Sequence, residues 1–111
     1  MKTQRIARDF KMTHEYGMHA RPAARLVKTA CRYEAEISVG FQGVVVNAKS
    51  ILGILSLGIV CGEQVAIVAD GEDASEAVQA IARLFESAFE GEEEEPVRRR
   101  IANTREGGHA P

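Results

Sequence analysis

The sequence predicts an α+β fold of two layers, in which three helices cover one face of a four-stranded antiparallel sheet, in the order β-α-β-β-α-β-α. Three observations carry that expectation. The chain has 111 residues, enough for one core and a short extension. Hydrophobic periodicity switches between two and 3.6 residues through residues 1–90 and is absent from 91–111. Turn and cap residues fall at the switches. Four half-apolar strands and three amphipathic helices close into two layers only if the helices share one sheet face. The opposite face is then expected to be polar and wet.

The first strand is marked by Ile6, Phe10 and Met12, which share one face, with Arg8 as an irregularity among them. The first helix begins near His19. Its apolar positions Ala20, Ala23, Ala24, Val27, Ala30 and Cys31 follow helical spacing. Ile37, Val39 and Phe41 alternate on a second strand. Gln42-Gly43 signals a tight turn, and Val44 to Val46 return as the third. A short helix starts at Ile51, with Ser50 as its N-cap and Gly58 as its stop. Val65, Ile67 and Ala69 alternate on the fourth strand. Asp73 with Glu76 resembles a capping box opening the last helix. That helix places Val78, Ile81, Ala82, Phe85 and Phe89 on one stripe.

Composition narrows the function. Apolar residues make up 45% and charged residues 27%, as in ordinary globular domains. With 14 basic against 16 acidic residues the formal charge is -2, which argues against a nucleic-acid partner, because phosphate backbones demand surplus Lys and Arg. The most apolar stretch, Ile51 to Cys61, is far shorter than the ~20 residues needed to cross a bilayer, so no membrane insertion is expected. The first residues lack the apolar run of a secretory signal. Cys31 and Cys61 have no metal-ligand spacing and are expected as free thiols in a cytoplasmic protein. Residues 91–111, with Glu92–Glu95 followed by Arg98–Arg100, Pro and Gly, are expected to form a flexible charged tail.

Two stretches imitate known sites and are set aside. His14-Glu15-Tyr16-Gly17-Met18-His19 is HExxxH rather than the HExxH of zinc proteases. On a helix the extra residue turns the second imidazole off the face of the first, and Gly17 opposes a helix. Gly43 to Ser50 approximates a phosphate-binding loop, but Ala48 replaces its second glycine and the β-branched run between favours a strand. No metal or cofactor site is expected.

Gly17-Met18-His19-Ala20-Arg21-Pro22-Ala23-Ala24 is the informative stretch. It sets a histidine at the entry of a helix. Gly17 lets the backbone turn, and Pro22 sits in the first turn, where its missing N–H costs nothing. Free amides and the positive end of the dipole favour an anion there. Arg21 adds a guanidinium fork for phosphate oxygens. Neutral imidazole is a good nucleophile, so the position suits accepting a phosphoryl group on nitrogen and releasing it.

The whole string resembles the active-site signature of the HPr family, the histidine-containing phosphocarriers of the bacterial phosphoenolpyruvate-dependent phosphotransferase system. A second stretch, Asn47-Ala48-Lys49-Ser50-Ile51-Leu52-Gly53-Ile54-Leu55-Ser56-Leu57-Gly58, resembles the family's regulatory-serine segment. The likeness spans residues of about 4 to 90. It implies the HPr open-faced sandwich for 1–90. It implies that enzyme I phosphorylates His19 on Nδ1, that Arg21 steadies the phosphate, and that IIA domains of sugar permeases receive it. It implies a carrier rather than a turnover enzyme, and Ser50 as the target of an ATP-dependent HPr kinase/phosphorylase.

A phosphate on Ser50 would meet the amides it already caps and would place charge beside an apolar docking patch, for which Met18, Ile51, Leu52 and Leu55 are the candidates. Tyr16 departs from the family pattern, being bulky where a small or polar residue is usual. Its ring is positioned to shade His19 or to touch a partner. The competing reading is a regulatory module in which Ser50 phosphorylation controls binding to a transcription regulator, without sugar uptake. A monomer is expected in either case.

Overall fold

The computed structural model describes residues 4–90, so the expected charged tail at 91–111 lies outside the described residues. The elements are β1 (Gln4–Lys11), α1 (Ala20–Ala30), β2 (Glu36–Phe41), β3 (Val44–Asn47), α2 (Ile51–Ser56), β4 (Gln64–Gly71) and α3 (Ala74–Glu86), in the predicted order. The sheet runs β1-β4-β2-β3 and every neighbouring pair is antiparallel. Gln42 and Gly43 both take positive φ, 52° and 84°, the geometry that joins two twisted strands through a two-residue turn. The β-branched run that disqualified a phosphate loop is β3, paired with β2 from Phe41↔Val44 to Ser38↔Asn47.

The core lies between the sheet and the helices. Ile37, Val39, Val65, Ile67 and Ala69 project from the two central strands and are buried, as alternation predicts. Phe10 stacks on Phe85 with ring centroids 4.7 Å apart, joining β1 to α3. Arg8, the irregular position on β1, lays its guanidinium 4.8 Å from the centre of the Phe10 ring and so covers the core edge with a charge that stays exposed.

Four expectations are corrected. The buried stripe of α1 is Pro22, Ala23, Arg25, Leu26, Thr29 and Ala30, whereas Ala20, Ala24 and Cys31 are exposed. The helix has rotated to bury Leu26, its largest apolar side chain, in place of peripheral alanines. Asp73 is the N-cap of α3 but makes no side-chain cap bond. Its carboxylate instead accepts from Glu34 N and Ala35 N, each at 2.9 Å, and ties the α1–β2 connection to the start of α3. The Glu34 N–H holds its carboxyl below the ordinary range, with Ala35 N–H and the charge of Lys49 adding to the effect against some desolvation.

Phe89 is buried but lies beyond α3, delivered by a turn in which Ala88 and Phe89 have φ of 56° and 62°. Phe89 N donates to Leu84 O at 2.7 Å, closing the helix end without glycine. The outer sheet face is polar only around its rim. Register places Ala7 beside Val68 and Gly40 beside Ala66 and Val45, so small and apolar residues occupy its middle.

Candidate functional site

Residues 12–19 connect β1 to α1 without helix or strand, and three contacts fix their path. Thr13 Oγ1 donates to Phe85 O at 2.6 Å, holding the segment to the end of α3. Gly17 N donates to His14 O at 2.9 Å, which closes a turn. Met18 N donates to Ile59 O at 2.8 Å, pinning the segment to the α2–β4 connection. Gly17 has φ of 76°, and a Cβ there would stand 2.5 Å from Ile59 O and 2.9 Å from Val60 Cα. Only glycine meets both demands.

This path delivers His19 to the N-cap of α1 with extended backbone, φ -104° and ψ -165°. Its carbonyl accepts from Ala23 N at 2.9 Å, the first bond of the helix. Its imidazole makes no cap bond and is exposed, so the ring that the sequence assigned to phosphoryl chemistry is accessible to a donor. Arg21 is also exposed, and the helix start brings it to the same depression. That depression, of about 460 Å³, is lined by Thr13, His14, Glu15, Tyr16, His19, Arg21, Ala88 and Glu90. It can hold an anion on His19 with a guanidinium and the first-turn amides beside it.

The rings around His19 differ from what helical spacing suggested. His14 and His19 have ring centroids 4.7 Å apart at 71°, because the intervening residues turn back instead of forming a helix. Tyr16 lies 6.2 Å from His19 and 5.9 Å from His14, and is 74% exposed. It flanks the imidazole rather than capping it. Sequence reasoning weighed His14 only as a helical metal ligand and so missed it as a neighbour of His19. The turn signal at Gly17 was the available clue. Among the described residues no group of three or more His, Cys, Asp or Glu is arranged to hold a metal ion. Cys31 and Cys61 are exposed free thiols.

Ser50 is the N-cap of α2 and its Oγ accepts from Gly53 N at 3.1 Å. Asn47 Oδ1 accepts from Lys49 N at 2.8 Å, and Lys49 Nζ donates to Tyr33 O at 2.8 Å, anchoring the approach to the cap. Ser50 is half-buried and does not line the His19 depression. The two sites are linked instead through the packing of α1 on α2.

The four apolar docking candidates separate. Leu52 is 77% exposed and Ile51 37%, while Leu55 is half-buried against the core. Met18 is corrected: it is 5% exposed and belongs to the core, because its backbone bond to Ile59 turns the side chain inward. Val60, 55% exposed in the same connection, was not singled out from the sequence.

The chain matches the family model described as the PTS HPr component phosphorylation site over residues 6–87. It is 37% identical over 87 residues to the phosphocarrier protein HPr of Treponema pallidum (strain Nichols), covering 78% of this chain and 99% of that protein. Among solved structures it resembles HPr-C-His from Thermoanaerobacter tengcongensis at a TM-score of 0.69 and 43% identity, covering 80% of this chain and 96% of the other. It also resembles the HPr dimer from the same organism at 0.63 and 47% identity, covering 68% and 86% respectively. No helix among the described residues is long and apolar enough to cross a membrane.

Proposed function

The chain belongs to the HPr family of phosphotransferase-system phosphocarriers, and from that premise we propose that His19 is its phosphoryl acceptor, loaded by phosphoenolpyruvate-charged enzyme I and unloaded to IIA domains of sugar permeases. One observation carries the reading: His19 occupies a helix N-cap and leaves its ring exposed and uncommitted. The neutral imidazole attacks phosphorus through the Nδ1 lone pair while its proton stays on Nε2. The N–P bond forms as the bond to enzyme I breaks, and the bonding pair returns to enzyme I. The resulting phosphoimidazolium is a good leaving group for the second transfer. Arg21 and the first-turn amides of α1 neutralise charge on the phosphoryl oxygens at both stages. The carrier is restored at each cycle.

Ser50 is the regulatory position of this reading, phosphorylated by an ATP-dependent HPr kinase/phosphorylase. Its place at a cap beside exposed Ile51 and Leu52 supports that role, since a phosphate there adds charge to an apolar docking edge. The same edge favours a second reading, a module whose binding to a transcription regulator is controlled at Ser50. The working unit is a cytoplasmic monomer, and sedimentation of the full chain distinguishes it from a dimer like that solved for the T. tengcongensis relative.

The deciding experiment is phosphorylation of the full chain by enzyme I and phosphoenolpyruvate, followed by addition of a IIA domain. Wild type takes an acid-labile label and passes it on. His19→Ala takes none, and still accepts an ATP-derived label at Ser50. An acid-labile label on His19→Ala would refute the site. A labelled wild type that transfers to no IIA domain would favour the regulatory reading.

A further inference from the structure

His14 stands next to the proposed phosphoryl acceptor, yet the phosphoryl chemistry described above makes no use of its ring. Its Nδ1 accepts the Tyr16 N–H at 3.2 Å. That bond fixes the neutral tautomer, because an accepting Nδ1 leaves the ring proton on Nε2. The ring therefore carries one spare donor. Its centroid is 4.7 Å from that of His19, so the two imidazoles are direct neighbours in one depression.

We propose that His14 is a second imidazole of the phosphoryl site, which donates from Nε2 to the oxygens of a phosphoryl group on His19 and takes up a proton when that group arrives. The proposal rests on His19 being the phosphoryl acceptor. In the unloaded protein, protonating Nδ1 sets a new N–H against the Tyr16 N–H and sacrifices their bond. A loaded His19 puts a doubly negative phosphoryl group beside the ring, and that charge favours a proton there. The other charged or titratable groups around the depression are Glu15 and Tyr16 on the same connection, Arg21 on α1 and Glu90 beyond α3. Glu15 and Glu90 are present in both states, and Arg21 opposes the imidazolium in both. What changes on loading is His19 itself, where the two negative charges of the phosphoryl group outweigh the positive charge of the phosphoimidazolium ring.

The consequence is a proton linked to the cargo. Phosphoryl loading becomes more favourable as pH falls through the histidine range, over and above the intrinsic behaviour of the P–N bond. The His14→Gln variant tests this, since its amide keeps a donor but cannot titrate.

The experiment uses the full ¹⁵N-labelled chain, whose three histidines are resolved by imidazole spectra. The His14 ring is titrated before and after loading by enzyme I and phosphoenolpyruvate. Its midpoint is expected to rise by about one unit on loading. The loading equilibrium constant of wild type relative to that of His14→Gln is then expected to increase about sixfold from pH 8 to pH 6. A His14 midpoint that stays in place or falls, in protein loaded on His19, overturns the proposal and leaves the carrier reading intact. A wild type that takes no label on His19 removes both. The titration needs no variant, so it decides the matter even if His14→Gln misfolds.

Discussion

His19 and Ser50 are both helix N-caps, and they spend their side chains differently. Ser50 gives its hydroxyl oxygen to Gly53 N, satisfying an amide that α2 would otherwise leave unpaired. His19 gives α1 no side-chain bond at all and keeps its ring in the open. The six-residue α2 depends on its cap, because a helix that short has little other local support. The eleven-residue α1 is held by Pro22, Ala23, Leu26 and Ala30 in the core, so its cap position is available for chemistry. The difference teaches that a cap position can leave its side chain without structural duty when packing elsewhere holds the helix.

That comparison can be broken at its foundations first. Gly17→Ala adds a methyl against Ile59 O in a left-handed backbone, and the segment that presents His19 must shift. We expect about 2–4 kcal/mol of lost stability by urea titration, with slowed loading of His19 in the protein that remains folded. Stability equal to wild type would mean that the segment is not pinned as described.

Two substitutions at Ser50 sharpen the contrast. Ser50→Asp keeps a cap and adds one negative charge beside Ile51 and Leu52. Transfer from enzyme I is expected to slow roughly tenfold, equivalent to about 1.4 kcal/mol of barrier. Ser50→Ala removes the cap without adding charge. It should cost about 1 kcal/mol in unfolding free energy and leave the transfer rate unchanged. If alanine slows transfer as much as aspartate does, the effect belongs to the shape of α2 and not to charge.

Asp73 provides the smallest test, from a third cap that serves neither its helix nor a reaction. Its carboxyl titrates below its ordinary range, chiefly through the Glu34 N–H, so the folded protein favours the charged form. The stability it contributes is present above the unfolded-state value near pH 4 and is lost as pH falls through the lower folded value. Asp73→Asn should therefore flatten the decline of the urea midpoint between about pH 4 and pH 2, where wild type falls. Parallel curves for the two proteins would count against the tie to Glu34 and Ala35.

How much was legible beforehand varies with the range of the interactions. Period-two alternation in Ile37, Val39 and Phe41 identified β2 because the sheet buries one face, and the Gln42-Gly43 turn followed from backbone sterics. The Ser50 cap was readable because its bond spans three residues. The buried face of α1 was misjudged because helical spacing gives a stripe but not which way the helix rolls on the sheet. Asp73 was placed correctly at the start of α3, but its side-chain bonding was not legible, because a local capping pattern competes with distant amides and the Glu34 and Ala35 N–H groups prevailed. Met18 was offered as a docking residue because its place beside His19 says nothing of the bond that turns it inward.

By itself the sequence determined the order of the elements and the cap positions of His19 and Ser50, since each follows from spacing within a few residues or from one short signature. Only the tertiary structure decided what surrounds His19. The approach of His14, the exposed flank of Tyr16 and the place of Arg21 and Glu90 in one depression arise where a loop, a helix start and a helix end converge. Such convergence is set by contacts between residues distant in the chain, Phe10 stacked on Phe85 and the Met18 N–H bonded to Ile59 O among them, and the spacing of neighbours along the chain carries no record of it.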